Sequence, residues 1–199
     1  MTFGRVFVSA AMLVLCLISS PAFAQTKAEA AAAQARNPDP VFVFNRVCYS
    51  QVPNVQAIEN LATQLAWRLL AKDLLQDFDP EKRAETLLGW QAQVGERLFQ
   101  IGVTQGPVPA KMRESFPKFA NGKATSCSMV LDDQQPASEF LPNMQRLAGK
   151  EPIASDVEEG RLRTTTWAGG NDEVKVFLFA KAPPTGNGGL LNVTVLTKK

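Results

Sequence analysis

The sequence predicts an α+β domain: an antiparallel sheet of about five strands, with helices on one face and a helical hairpin inserted between the first two strands. Three observations lead there. Two short segments, 42–49 and 125–131, are rich in strand-forming side chains, and each carries a cysteine. Between them, residues 54–101 hold apolar side chains at helical spacing. After residue 160 the chain changes to runs of Val, Thr, Leu and aromatics separated by Gly, Pro and Asn clusters, the pattern of a meander.

The chain opens with a segment that reads as a cleavable secretory signal, residues 1–24. Arg5 gives the charged start, 6–18 the apolar run, and Ala22-Phe23-Ala24 the small-x-small cleavage site. That run is well short of the roughly 20 residues a helix needs to span a bilayer. No other segment is apolar enough to cross, so the mature chain is expected to be exported and soluble, in the periplasm or outside the cell, without an integral membrane segment. Cleavage would leave about 175 residues, enough for one domain with its own core. The full chain carries 21 Lys and Arg against 19 Asp and Glu, and loss of Arg5 brings the balance nearer to neutral. Such a balance gives no footprint for nucleic acid.

Cleavage also removes Cys16, leaving Cys48 and Cys127. In an oxidising compartment two cysteines are expected to pair, and no C-x-x-C spacing suggests redox catalysis. A loop of this length closed by a disulfide gains about 4 kcal/mol in the chain-entropy account.

Residues 25–40 form an Ala-rich polar leader with no apolar face, ended by Asn37-Pro38-Asp39-Pro40, and are expected to be mobile. The domain proper is 41–199, and its first strand is placed at 42–49. Asn54 suits the N-cap of a helix starting at Val55, with Ile58, Leu61, Ala62, Leu65 and Leu69 on one face. Trp67, Leu70, Leu74 and Phe78 then rotate to the opposite side, so this helix either bends near Ala71-Lys72 or buries two faces. A second helix is read from Asp79-Pro80 to Gly102, with Leu87, Val94, Leu98 and Ile101 as its stripe. Gly95 inside it would cost about 1 kcal/mol relative to Ala. Trp67 and Trp90 become hairpin core.

Residues 102–124 read as a basic loop. Lys111, Arg113, Lys118 and Lys123, with Phe116 and Phe119 among them, are the candidates for contact with an anionic surface. The more ordinary reading is a solvated loop with both phenylalanines tucked in. The second strand, 125–131, places Thr125, Cys127, Met129 and Leu131 on one side. A short helix through Phe140, Met144 and Leu147 follows, closed by Gly149. Pro142 suggests a start near Leu141, since proline disrupts a helix beyond its first turn. Residues 151–160 are an acidic loop, and 161–197 form the three-strand meander, with strands at 161–167, 174–180 and 190–197.

The chain contains no histidine, which removes Ser-His-Asp and Cys-His catalysis and imidazole metal ligation. No cofactor and no metal site are expected. Asp132 and Asp133 are the carboxylates most open to a catalytic reading, although adjacent strand residues face opposite ways and Asp before a helix is an ordinary cap. Arg161, Arg163 and Trp167 fall on one face of their strand, and Phe177 and Phe179 extend it on the neighbouring strand as a surface able to bind a sugar or peptidoglycan fragment. The alternative is that helices cover that face. Together these features point to a non-enzymatic binding or interaction module of the cell envelope, its partner an envelope component or a small ligand. The rivals are a histidine-free hydrolase or transferase using Asp132 and Asp133, and peripheral membrane association through the basic loop.

Overall fold

A computed structural model describes residues 22–199, and for 22–28, 132–135 and 137 it describes the backbone alone. The apolar run read as a secretory signal lies outside the described residues. Mixed helix and strand with one antiparallel sheet is what the chain forms, but the sheet has eight strands rather than about five. Their order is β1-β2-β3-β4-β8-β7-β6-β5.

The leader is helical: α1 runs Ala22–Arg36. Residues 29–37 are exposed, and the Arg36 carbonyl accepts from the Glu96 amide at 2.6 Å. The expected first strand is a helix instead. Asp39 accepts from the Val41 amide at 2.8 Å, and Pro40 opens α2 (Pro40–Phe44), which continues as a π-helical turn, Asn45–Tyr49. The buried residues are Val41, Val43, Phe44, Val47 and Cys48. Their spacing is that of a helix face, whereas a strand would have buried Phe42, which is 61% exposed. Strand propensity lost here to a cap and a tertiary contact.

Asn54 does cap α3 (Val55–Gln64), its side chain accepting from the Ala57 amide at 3.1 Å. The helix ends at Leu65, well before the expected bend, and the chain continues as a two-residue strand β1 (Arg68–Leu69) and a single helical turn α4 (Lys72–Gln76). No helical hairpin forms over 54–101. Its second half is a β-hairpin, β2 (Thr86–Val94) and β3 (Arg97–Pro107), with Val94 paired to Arg97 across the turn. Leu88, Trp90, Ala92 and Val94 share one face of β2, and Phe99, Ile101 and Val103 share the matching face of β3. This period-two pattern was masked by Leu87, Leu98 and Gly102, which lie on the other face. Gly95, at φ +63°, takes the first place in the turn, where a side chain would collide with the Arg36 carbonyl.

The loop expected at 102–124 is partly strand, then α5 (Ala110–Ser115) and a 3₁₀ turn, Pro117–Phe119. The strand expected at 125–131 is present within β4 (Lys123–Pro136), whose pairing with β8 is regular to Leu131 and shifts before Pro136. Helix α6 (Ala137–Ala148) starts one turn earlier than Pro142 suggested and holds that proline inside it. Gly149 closes it in the left-handed conformation. The acidic stretch supplies an edge strand, β5 (Ala154–Glu159). The meander is formed as expected by β6 (Leu162–Gly170), β7 (Val174–Ala182) and β8 (Asn187–Thr197), with β7 between the other two.

The main core lies between one face of the sheet and a helical layer of α2, the π-helical turn, α3 and α6. Phe44, Ile58, Phe99, Ile101, Met129 and Leu191 are fully buried there. Each such side chain contributes about 1.5–3 kcal/mol by its transfer from water. The disulfide Cys48–Cys127, with Cα atoms 5.3 Å apart, ties this helical layer to β4 in the middle of the sheet. Thr125, Cys127, Met129 and Leu131 all face this core, as their alternation predicted. On the second face a smaller core of Val108, Phe119, Phe177 and Leu196 is roofed by α5 and the 3₁₀ turn. No described helix is long and apolar enough to cross a membrane.

Candidate functional site

The second face of the sheet is covered at both flanks and open between them. On one flank, the segment through α4 lies over β2 and β3, which is possible because the paired residues there, Gly89 and Gly102, carry no side chain. A Cβ on Gly102 would come 2.2 Å from the Phe78 ring, and one on Gly89 would meet Leu75 at 2.6 Å. The turn after Phe78 is held by Asp79, whose carboxylate accepts from the amides of Arg83 (3.1 Å) and Ala84 (2.8 Å). The Asp79-Pro80 signal thus caps a turn rather than a helix. Arg83 is paired with Glu81 at 2.6 Å, so the rim is locally neutralised.

Between this flank and the small second-face core is a groove of about 270 Å³. Its floor comes from three adjacent strands: Thr104 of β3, Ser126 and Ser128 of β4, and Asn192 of β8, with Thr194 beside it. Thr104 lies opposite Ser126, Ser126 opposite Thr194, and Ser128 opposite Asn192. The side chains are joined. Ser126 Oγ and Thr194 Oγ1 are 2.8 Å apart, Thr194 donates to Asn192 Oδ1 at 3.1 Å, and Asn192 Nδ2 donates to Ser128 Oγ at 2.7 Å. The Cys127 carbonyl, 3.4 Å from Asn192 Nδ2, can only accept, which fixes the orientation of the amide. Beyond the groove, on β7, Phe179 is the cross-strand neighbour of Asn192 and Phe177 that of Thr194, and both belong to the small second-face core. The two rings stack at 6.4 Å, and Phe116 meets Phe177 edge-on at 5.2 Å.

The residues expected to form one ligand surface are divided between the two faces. Arg163 and Trp167 share the core face, where Trp167 is 2% exposed and donates to Gln145 of α6 at 2.9 Å. Phe177 and Phe179 stand on the second face, because Trp167 pairs with Leu178 and so falls out of step with both. Helix α6 therefore covers Trp167, the alternative weighed from sequence. Arg163 pairs with Asp156, and Arg161 is exposed beyond the start of β6.

Two of the four basic candidates are ion-paired. Lys111 and Arg113 are exposed on α5, while Lys118 pairs with Asp172 and Lys123 with Glu85, each at 3.1 Å. Phe116 and Phe119 point into the small core. The Lys118 bond holds the Asp172 carboxyl below its ordinary value. Lys181, 2.6 Å from Glu159, does the same for that carboxyl against a smaller opposing effect of burial. The side chains of Asp132 and Asp133 lie outside those described. Among the described residues no group of three or more Asp, Glu, Cys or His side chains converges to hold a metal.

Sequence reading does not bring Thr104, Ser126, Ser128, Asn192 and Thr194 together as one site. The signal was present for four of them: hydroxyl and amide side chains at every second position, interleaved with the buried Cys127, Met129, Val193 and Val195. Thr104 was hidden in the segment read as a loop after a helix. The chain matches no protein-family model, no curated protein and no solved structure.

Proposed function

We propose that this chain is exported and that its mature form is a non-enzymatic binding module of the cell envelope, with the groove over β3, β4 and β8 as its ligand site. The observation that carries the reading is the ladder Ser126–Thr194–Asn192–Ser128 at the open centre of a sheet face covered on both flanks. A polar strip there serves no packing purpose, and half-buried hydrogen-bonding groups with capacity to spare are what a pocket uses to fix a ligand's orientation. The same ladder argues against a serine nucleophile. The Ser126 proton is committed to a threonine oxygen instead of a base, and activation needs a base within hydrogen-bond reach. Export is supported by the charged start, apolar run and small-x-small site at the N-terminus. Two measurements test the reading. Mass spectrometry of the protein recovered from the envelope fraction should find an N-terminus at Gln25; full-length chain retained in the cytoplasm would refute export. Crosslinking in cells from a photoreactive residue at position 104 should capture an envelope component that the same probe on exposed Arg113 does not.

A further inference from the structure

The ladder has a direction, and the direction narrows the ligand. Thr194 owns one hydroxyl proton and gives it to Asn192 Oδ1, so Ser126 must be the donor in the 2.8 Å contact with Thr194. Asn192 gives its two amide protons to Ser128 Oγ and the Cys127 carbonyl. Ser128 therefore keeps its own proton for an outside acceptor, and Ser126 keeps lone pairs for an outside donor. Thr104 has no bond from its hydroxyl among the described residues and offers both. Chains of this kind polarise one another, which strengthens the terminal donor and acceptor. Residues i and i+2 on a strand project about 7 Å apart on one face, so the two ends meet groups on opposite edges of a small ring. The groove's charged lining is Asp79, Glu81 and Arg83: Arg83 is held by Glu81, which leaves the Asp79 carboxylate, turned onto backbone amides, as an uncompensated negative charge. Its one aromatic wall is Phe78, lying above Gly102.

We infer that the groove binds a neutral sugar unit, with hydroxyls of the ring edge bonded to Ser128, Ser126 and Thr104 and an apolar C–H face against Phe78. The inference rests on the groove being a ligand site and goes further by naming the ligand class. A pyranose presents what this surface lacks: alternating donors and acceptors around a rigid ring, with no charge and with apolar faces. A carboxylate or phosphate would meet two hydroxyl donors, Ser128 and Thr104, but would also meet the Ser126 acceptor and the Asp79 carboxylate, which repel it. The volume of about 270 Å³ suits a single unit, alone or within a chain running out of the open groove.

The test uses the mature protein in amide NMR, following the Asn192 side-chain NH₂ and the Ser126 and Ser128 backbone amides. Maltotriose and an N-acetylglucosamine trimer are the neutral sugar probes, trigalacturonate the charged counterpart and a blocked trialanine the peptide. Saturable shifts of all three signals are expected with at least one neutral sugar, and weaker or no response to trigalacturonate. Ser128→Ala, which removes the outward donor and with it the acceptor of the Asn192 amide, should weaken that sugar about fivefold to tenfold in a variant whose thermal unfolding is unchanged. Phe78→Ala should weaken it as well, whereas Arg113→Ala on exposed α5 should not. Groove shifts with only the peptide or only the charged probe would overturn the sugar and leave the binding site standing. No groove shift with any probe, or shifts unaffected by Ser128→Ala, would overturn both.

Discussion

Cys48 and Cys127 show how much one pair of side chains can settle. Both are fully buried, one in the helical layer and the other in a central strand, and the bond joins covalently two layers that otherwise meet through packing and side-chain hydrogen bonds such as that from Trp167 to Gln145. Replacing both by alanine should cost about 2–5 kcal/mol, read as a lower urea midpoint, and reductant should bring the wild type to the same value. A shift below about 1 kcal/mol would mean that the closed loop contributes little in this chain. At the acidic edge, Glu159 is held below its ordinary 4.5 first by its hydrogen bond from Lys181. A depressed carboxyl stabilises the fold above its unfolded value and loses that contribution as pH falls through the folded one. The effect belongs below about pH 4.5 and is small, because both side chains remain partly exposed and solvent screens the pair. Lys181→Met should raise the Glu159 carboxyl in an NMR titration and leave stability at pH 7 nearly unchanged. A titration curve that does not move would break the assignment.

At the scale of elements, the hairpin β2–β3 is the point where helical and strand periods competed. Leu87, Val94, Leu98 and Ile101 fit a helix stripe, while Leu88, Trp90, Ala92, Phe99, Ile101 and Val103 fit two alternating strands. The second set is buried with the sheet core, and the first is divided between faces. Gly95 separates the alternatives by experiment. In a helix, Gly95→Ala would stabilise by about 1 kcal/mol. In the turn, where φ is +63° and the Arg36 carbonyl lies 2.3 Å from the new Cβ, it should destabilise by at least about 1 kcal/mol. Thermal denaturation of this one variant gives the sign. The same stretch explains why the groove could not be foreseen: Gly102 looked like a helix stop, and is a strand residue kept bare so that Phe78 can lie over it.

For the whole molecule, the sheet is a partition with two unlike sides. One carries nearly all the large buried side chains and the disulfide, while the other carries a small aromatic core, a cover over two glycines and a polar strip between them. Helix α1 stands outside this arrangement, exposed from residue 29 and bonded to the domain by the Arg36 carbonyl. Deleting 25–34 should therefore shift the unfolding free energy by less than about 0.5 kcal/mol, measured by urea denaturation. A larger loss would show that the leader packs on the domain.

By itself the sequence determined the pieces whose signals are local. Asn54 caps its helix through its own side chain, Gly149 ends another in a conformation few other residues adopt, and alternation along 161–197 set out the meander with β7 between its neighbours. It also singled out Cys48 and Cys127 as a pair. Tertiary structure decided the rest, because there the deciding contacts are distant in the chain. Residues 42–49 have the composition of a strand and became helical where Asp39 could cap them and Cys48 could reach β4. Trp167 and Phe177 read as one surface by alternation alone, and the register between β6 and β7 puts them on opposite sides. The groove depends most on this level. Thr104, Ser126, Ser128, Asn192 and Thr194 come from three strands, and only strand pairing makes one hydrogen-bonded strip of them.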